Sequence, residues 1–316
     1  MDTEHPMRPA DFNVEASPPR GGVCPFFPGN ESQTPPEIAA FGEDGRVPNG
    51  PGWWLRVIPS KLPALRIEED ANRGGRGIYD VMSGLGAHEV VIETPNHDTD
   101  LADMPDSQVE KVIWAHRDRM LDLRKDRRLL YALVFKNHGA AAGATQDHPH
   151  SQLIATPIVP KRVQEEIKGA RQYYDYRERC IFCDILQQEI KERERLVCEN
   201  GSCISIVPFA GRFPFETWVL PKVHAADFTQ IGKQEAIDLA RSLKETLYRI
   251  KRTLNDPPYN FMLHSSPFQE PDPDVYHWHI EIIPKLTRTA GFEWGSGLYI
   301  NETPPELAAQ ALREPL

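Results

Sequence analysis

A chain of 316 residues is about twice the length of an ordinary single domain, which favours two domains or a duplicated one. With 46 acidic against 36 basic residues its formal net charge is −10, which argues against broad, sequence-independent binding to nucleic acid or anionic membrane. No apolar run approaches the roughly 18 residues of a membrane span, the polar start Met1-Asp2-Thr3-Glu4-His5-Pro6 lacks signal-peptide character, and five cysteines, an odd number in a long chain, point to the reducing cytoplasm rather than a disulfide framework.

In chain order, the first fifty residues are rich in proline and glycine and read as irregular structure wrapped on a core, or partly disordered. Strands are predicted at Leu55–Ile58 and Glu89–Glu93, where β-branched residues dominate. A helix is predicted from about Ser107 to Lys125. There Val109, Val112, Ile113, Met120 and Leu121 recur at helical spacing on one side, with Asp106 or Ser107 as N-cap. Strands at Tyr131–Lys136 and His150–Ala155 follow, then a charged, helix-prone connector over Lys161–Arg179 and a second long helix from Lys233 to Leu254.

The two halves echo each other. Cys24-Pro25-Phe26-Phe27 is answered by Cys180-Ile181-Phe182-Cys183, and Val57-Ile58-Pro59 by Ile206-Val207-Pro208. The stretch from Val90 to His97 matches that from Thr217 to His224, and His148-Pro149-His150 matches His277-Trp278-His279. Landmarks in one order on both sides of the midpoint predict an internal duplication.

Cys180 and Cys183 stand at the spacing that lets two thiolates bind one ion, and the repeat nominates His224 and His277 to complete a Cys2His2 zinc tetrahedron. The competing readings are ordinary buried thiols and a redox pair, the latter without a suitable βαβ context. The repeat proposes a second, weaker site from Cys24, His97 and His148, whose fourth position is Phe27. Either those three hold zinc with water in the open position, or Phe27 packs where a metal would sit.

Between Asn137 and Gln152 lies the segment richest in chemistry. Gly139 and Gly143, with small neighbours, suit close approach of backbone amides to a phosphate. On a strand, residues two apart face the same way, so His148, His150 and Gln152 share a face. That face offers a neutral imidazole able to attack phosphorus near pH 7 and an amide donor for the charge that develops on a phosphoryl oxygen. The alternative is a pair of satisfied histidines beside a turn.

His148-Pro149-His150-Ser151-Gln152 resembles the H-P-H-x-Q signature of the galactose-1-phosphate uridylyltransferase family, the transferase branch of the histidine-triad superfamily. The resemblance runs from Arg8-Pro9 and Cys24–Glu31, through Gly86–His97, to Gly291-Phe292-Glu293. It implies an α+β fold made of a duplicated histidine-triad-like domain, two antiparallel sheets flanked by helices. Residues 1–160 would carry the motif, and residues 161–316 the zinc site and a hexose-binding segment. It further implies that His150 is a nucleophile and Gln152 its phosphoryl-oxygen partner, that Asn137, Gly143 and Thr145 contact the phosphates and sugar of a nucleotide, and that Phe292 and Glu293 contact the hexose. Family members are homodimers with shared sites, and Arg8 aligns with an arginine of that shared kind.

The chain departs from the pattern at Phe27, at Ser151 where glycine is usual, at Ser60-Lys61 in the uracil-contacting region, and in a short segment before Arg8, which suggests a truncated or alternative start. The expected reaction converts UDP-glucose and galactose 1-phosphate into glucose 1-phosphate and UDP-galactose through a nucleotidyl-histidine, placing the protein in galactose metabolism. The alternatives are an adenylyltransferase like ADP-glucose phosphorylase, a histidine-triad hydrolase, against which Gln152 counts, and a non-catalytic zinc-binding module.

Overall fold

The computed structural model describes residues 8–9, 12, 24–269 and 272–314. The start at Met1–Pro6 and most of the proline-rich stretch before Cys24 therefore lie outside the described residues. In the first half, strands β1 (Ala39–Gly42), β2 (Trp53–Pro59), β3 (Gly74–Arg76), β4 (Tyr79–Val81) and β5 (Ala87–Ile92) precede helix α1 (Asp106–Leu123), strand β6 (Tyr131–His138) and strand β7 (His150–Thr156). Helices α2 (Lys161–Arg177) and α3 (Ile181–Glu192) lead into β8 (Leu196–Glu199), β9 (Cys203–Ile206), β10 (Thr217–Pro221), helix α4 (Lys233–Leu254), β11 (Tyr259–His264) and β12 (His279–Pro284). The short α5 (Gly291–Ser296) and α6 (Pro305–Arg313) follow.

Apart from the β3–β4 hairpin, the strands form one ten-stranded antiparallel sheet in the order β1-β2-β5-β7-β6-β11-β12-β10-β9-β8. The second five repeat the first five in reverse, so the duplication read from sequence landmarks is written into the sheet. The expectation of two antiparallel sheets needs one correction. The half-sheets join edge to edge through β6 and β11, with Asn260 opposite Asn137 and Leu263 opposite Val134. An exposed sheet edge leaves backbone N–H and C=O groups without partners, and joining the halves removes two such edges.

Helices α1 and α4 cover one face of the sheet. In α4, Ala236, Leu239, Ala240, Leu243, Leu247, Ile250 and Leu254 are buried at helical spacing against Val219, Phe261 and Ile282 of the strands. Glu235 accepts a bond from the Gly232 N–H at the helix start, and Asn255 closes its end in the left-handed conformation at φ 56°. Helix α1 begins one residue before the predicted start. Pro105 stands at its N-cap without a side-chain bond, so Asp106 is its first residue rather than its cap.

The opposite face differs between the halves. In the second half, Ala170 of α2 and Phe182 and Leu186 of α3 pack on Ile204, Ile206 and Leu220. The charged connector is thus a cover for the sheet. In the first half, among the described residues, a smaller group, Trp53, Ile58, Val90 and Ile92 with Phe26 against it, occupies that face. Among the described residues, no helix is long and apolar enough to cross a membrane.

Candidate active site and metal clusters

His150 opens β7 on that less covered face and is 5% exposed. Its Nδ1–H donates to the His148 carbonyl oxygen at 2.8 Å, which fixes the tautomer and leaves Nε2 with its lone pair. Burial lowers the His150 pKa to about 4, and the charge of Lys136 pushes the same way. The ring is therefore neutral across the physiological range. A cavity of about 470 Å³ opens beside it, walled in part by Asn137, Gly139, Asp147, His148 and Lys136.

The loop between β6 and β7 meets the demands read from its glycines. Gly139 has φ 76° with Pro258 packed where a side chain would start, and Gly143 has φ 88° beside the Asn137 amide nitrogen. The Asn137 Oδ1 accepts from Asn260 Nδ2 at 2.8 Å, so its own NH2 is turned toward that loop. Thr145 is exposed near the loop's end. Gln152 shares the His150 face, and its Oε1 lies 2.8 Å from His88 Nε2. The cavity wall does not include Arg8, Gly143, Thr145, Gln152, Phe292 or Glu293. Arg8 is exposed, Phe292 is 48% exposed, and Glu293 accepts from the Ala290 N–H at the start of α5.

Behind β7, on the helix side, runs a buried polar layer that the sequence did not announce. Lys136, 2% exposed, donates to Glu93 Oε2 at 2.7 Å and to the His150 carbonyl oxygen at 3.3 Å, with Asp100 Oδ1 at 3.7 Å. Burial raises the Glu93 carboxyl, against the pull of Lys136. The signal available was weak: one lysine at the end of an apolar strand. Ser151 also points inward and lies 2.7 Å from His116 Nε2 of α1. Complete burial depresses the His116 pKa to about 3.

An unfolded histidine, with its ordinary pKa near 6.5, takes up a proton that folded His116 refuses. Stability should then be lost as pH falls from 6.5 toward 3. Between pH 7 and pH 5 the loss assignable to His116 should be about 2 kcal/mol. Urea unfolding of wild type and His116→Gln at both pH values checks it, with a smaller acid loss expected in the variant. Equal losses in the two proteins would refute the assignment.

Among the described residues, three groups bring potential metal-binding atoms within 4.8 Å of one another. The first is Cys180, Cys183, His224 and His277, the four nominated from the repeat. Cys180 is the N-cap of α3 and Cys183 lies in its first turn. His224 Nε2 donates to the Pro273 carbonyl at 2.6 Å and His277 Nε2 to the Pro221 carbonyl at 3.0 Å, aiming both Nδ1 lone pairs at Cys183 Sγ, 3.2 and 3.7 Å away. A hydrogen bond from Cys183 pulls the Cys180 pKa down and its own up. Two sulfurs and two imidazoles with carbonyl supports fit a tetrahedral thiophilic metal.

The second group, Cys24, His97 and His148, has three donors. His148 Nε2 donates to the Thr94 carbonyl at 2.7 Å, and its Nδ1 faces Cys24 Sγ at 3.7 Å. Phe27, at the fourth position of the repeat, is 48% exposed with its ring 6.4 Å from that of His97. The third group, Glu166, His264 and His279, was missed. His279 repeats the His150 geometry, with Nδ1 3.0 Å from the His277 carbonyl, but its Nε2 meets Glu166 of α2 at 3.2 Å and the ring is fully buried. Burial opposes protonation of His264, yet Glu166 and Glu281 outweigh it and lift the pKa to about 10. The repeat held the clue, because Glu281 stands where the first half has Gln152.

Residues 61–160 match the family model described as Galactose-1-phosphate uridyl transferase, N-terminal domain, and residues 166–294 match the model of its C-terminal domain. The ADP-glucose phosphorylase of Arabidopsis thaliana is 36% identical over 315 residues, covering 97% of this chain and 87% of that protein. The galactose-1-phosphate uridylyltransferase of Thermotoga maritima is 35% identical, over 82% of this chain and 84% of its own. A crystal structure of an ADP-glucose phosphorylase from Arabidopsis thaliana with bound ADP-glucose superposes with a TM-score of 0.83 at 35% identity, covering 93% of this chain and 90% of that one. A uridylyltransferase structure gives 0.82 at 32%, over 95% and 93%.

Proposed function

The chain belongs to the galactose-1-phosphate uridyl transferase family, and we propose that it moves a nucleotidyl group between phosphates through His150. His150 Nε2 forms a bond to the α-phosphorus of a nucleoside diphosphate sugar as the bond to the β-phosphate side breaks, releasing sugar 1-phosphate. A phosphate oxygen of the acceptor then attacks the nucleotidyl-histidine and returns the free imidazole. The acceptor is already anionic, so neither step needs a separate base. The observation that carries this reading is the hydrogen bond from His150 Nδ1 to the His148 carbonyl, which supplies an unprotonated Nε2 beside the cavity. The second half's counterpart, His279, is sealed by Glu166.

Gln152 donates to the phosphoryl oxygen that gains charge, and Asn137, Gly143 and Thr145 receive the phosphates and ribose. Phe292 and Glu293 are assigned to the hexose and Arg8 to a site shared within a homodimer. Residues 1–160 thus carry the reaction, and residues 161–316 carry zinc at Cys180, Cys183, His224 and His277. That zinc is structural, because four protein donors leave no position for substrate. Unpaired cysteines suit a cytoplasmic protein.

For the substrate, UDP-glucose with galactose 1-phosphate follows the uridylyltransferase relatives. A second reading, adenylyl transfer from ADP-glucose to inorganic phosphate, is favoured by the Arabidopsis relative that matches across 97% of this chain. Incubating the protein with each labelled nucleotide sugar, with and without each acceptor, tests both. An acid-labile, base-stable adduct and acceptor-dependent product are expected from one donor. Free nucleotide released without acceptor would identify a hydrolase, and no turnover with either would refute the transferase reading.

Two further outcomes are expected. Gln152→Ala should slow both half-reactions together by about 10²–10³, the usual effect of removing one donor to a developing oxyanion, as read by single-turnover kinetics. Elemental analysis should find about one tightly held zinc per chain. Two would mean that Cys24, His97 and His148 suffice without a fourth side chain, and none would remove the role given to Cys180 and Cys183.

A further inference from the structure

His88 lies on β5 opposite Ile154, and Val90, two residues on, lies opposite Gln152. His88 and Gln152 are therefore diagonal neighbours on the same face of adjacent strands. The Ala64 backbone N–H points at His88 Nδ1 at 3.1 Å. A backbone N–H can only donate, so Nδ1 must accept, and the imidazole proton must sit on Nε2. That proton faces the Gln152 carboxamide at 2.8 Å, where only the oxygen can receive it. We infer that His88 is a positioning residue that commits the Gln152 oxygen and so leaves the side chain only N–H donors to offer toward substrate.

An unheld glutamine amide presents oxygen or nitrogen with similar ease, since the two ends are nearly the same size. Facing an anionic phosphoryl oxygen, the oxygen end would repel and the nitrogen end would bind. The chain Ala64 N–H, His88, Gln152 removes the wrong half of that choice before substrate arrives. Preorganisation of this kind acts on the rate of the chemical step, because the donor's bond strengthens as charge builds on the oxygen.

The inference rests on the proposed transferase reading for its consequence, but not for the contact itself. The contact is read by long-range 1H–15N NMR of the full-length protein with 15N-labelled histidine. The Nε2–H tautomer at His88 is expected, and the Nδ1–H tautomer would overturn the inference whatever the enzyme does. Its consequence is read with whichever of UDP-glucose and ADP-glucose labels wild-type His150. His88→Phe keeps a ring on the strand but has no donor, and should slow labelling at saturating donor about 10-fold, less than losing the Gln152 donor outright. The half-saturating concentration and the unfolding midpoint should stay near wild type. His88→Gln places an NH2 within reach of the same oxygen and should recover most of the rate. Labelling by His88→Phe at the wild-type rate, or failure of His88→Gln to recover it while folding normally, would refute the positioning role. Absence of labelling in wild type would instead refute the transferase reading, with the tautomer measurement still deciding the contact.

Discussion

Replacing His150 by glycine is expected to abolish nucleotidyl transfer, by a factor on the order of 10⁴ or more for loss of a covalent nucleophile. Neither the neighbouring His148 nor the repeat counterpart His279 offers a substitute. His148 has Nε2 bound to the Thr94 carbonyl and Nδ1 turned to Cys24, and His279 is buried against Glu166. The glycine leaves a hole of imidazole size on the cavity wall, so a nucleoside 5′-phosphorimidazolidate should enter it as a preformed intermediate and support the second half-reaction alone. In wild type, initial rates at several acceptor concentrations should give parallel double-reciprocal lines. Intersecting lines without a trapped adduct, or substantial transfer by His150→Gly, would exclude the covalent route.

The residues proposed for this chemistry were legible because they are contiguous. His148, His150 and Gln152 lie within one strand, where alternation alone puts them on a common face, and Gly139 and Gly143 announce a loop that needs positive φ. The Cys2His2 group was legible through the repeat, which turned a search over all histidines into a comparison of two half-chains. What stayed hidden depends on partners distant in sequence. His88 meets Gln152 across strands 64 residues apart, and Glu166 reaches His279 and His264 only because α2 folds back over the second half's sheet. Helical periodicity in Lys161–Arg177 shows that a helix forms, but its charged composition gives no sign that Ala170 and Val163 are buried. The joining of the half-sheets was equally silent, since β6 and β11 are apolar strands that would read the same at the edge of separate sheets.

The buried layer under β7 carries the second large expectation. Lys136→Met should cost about 3–5 kcal/mol of stability, because it strands a carboxylate whose partner has gone. Glu93 is 0% exposed and its Oε2 takes the Lys136 ammonium at 2.7 Å, so methionine of similar length fills the volume but returns none of the charge. The sign with pH distinguishes this from lost packing. Burial already raises the Glu93 carboxyl, and without Lys136 it should rise further. A carboxyl whose folded pKa lies above its unfolded value destabilises the fold progressively as pH rises from the unfolded pKa toward the folded one. The deficit of Lys136→Met should then be smaller at pH 5 than at pH 8. Changing both partners, in Lys136→Met with Glu93→Gln, should restore much of the loss and flatten that pH dependence, since removing a whole buried pair is far milder than breaking it. Urea unfolding of the four proteins at the two pH values closes the cycle. A deficit equal at both pH values, or additive across the two substitutions, would mean that Lys136 is held by packing and not by the carboxylate beneath the strand that carries His150.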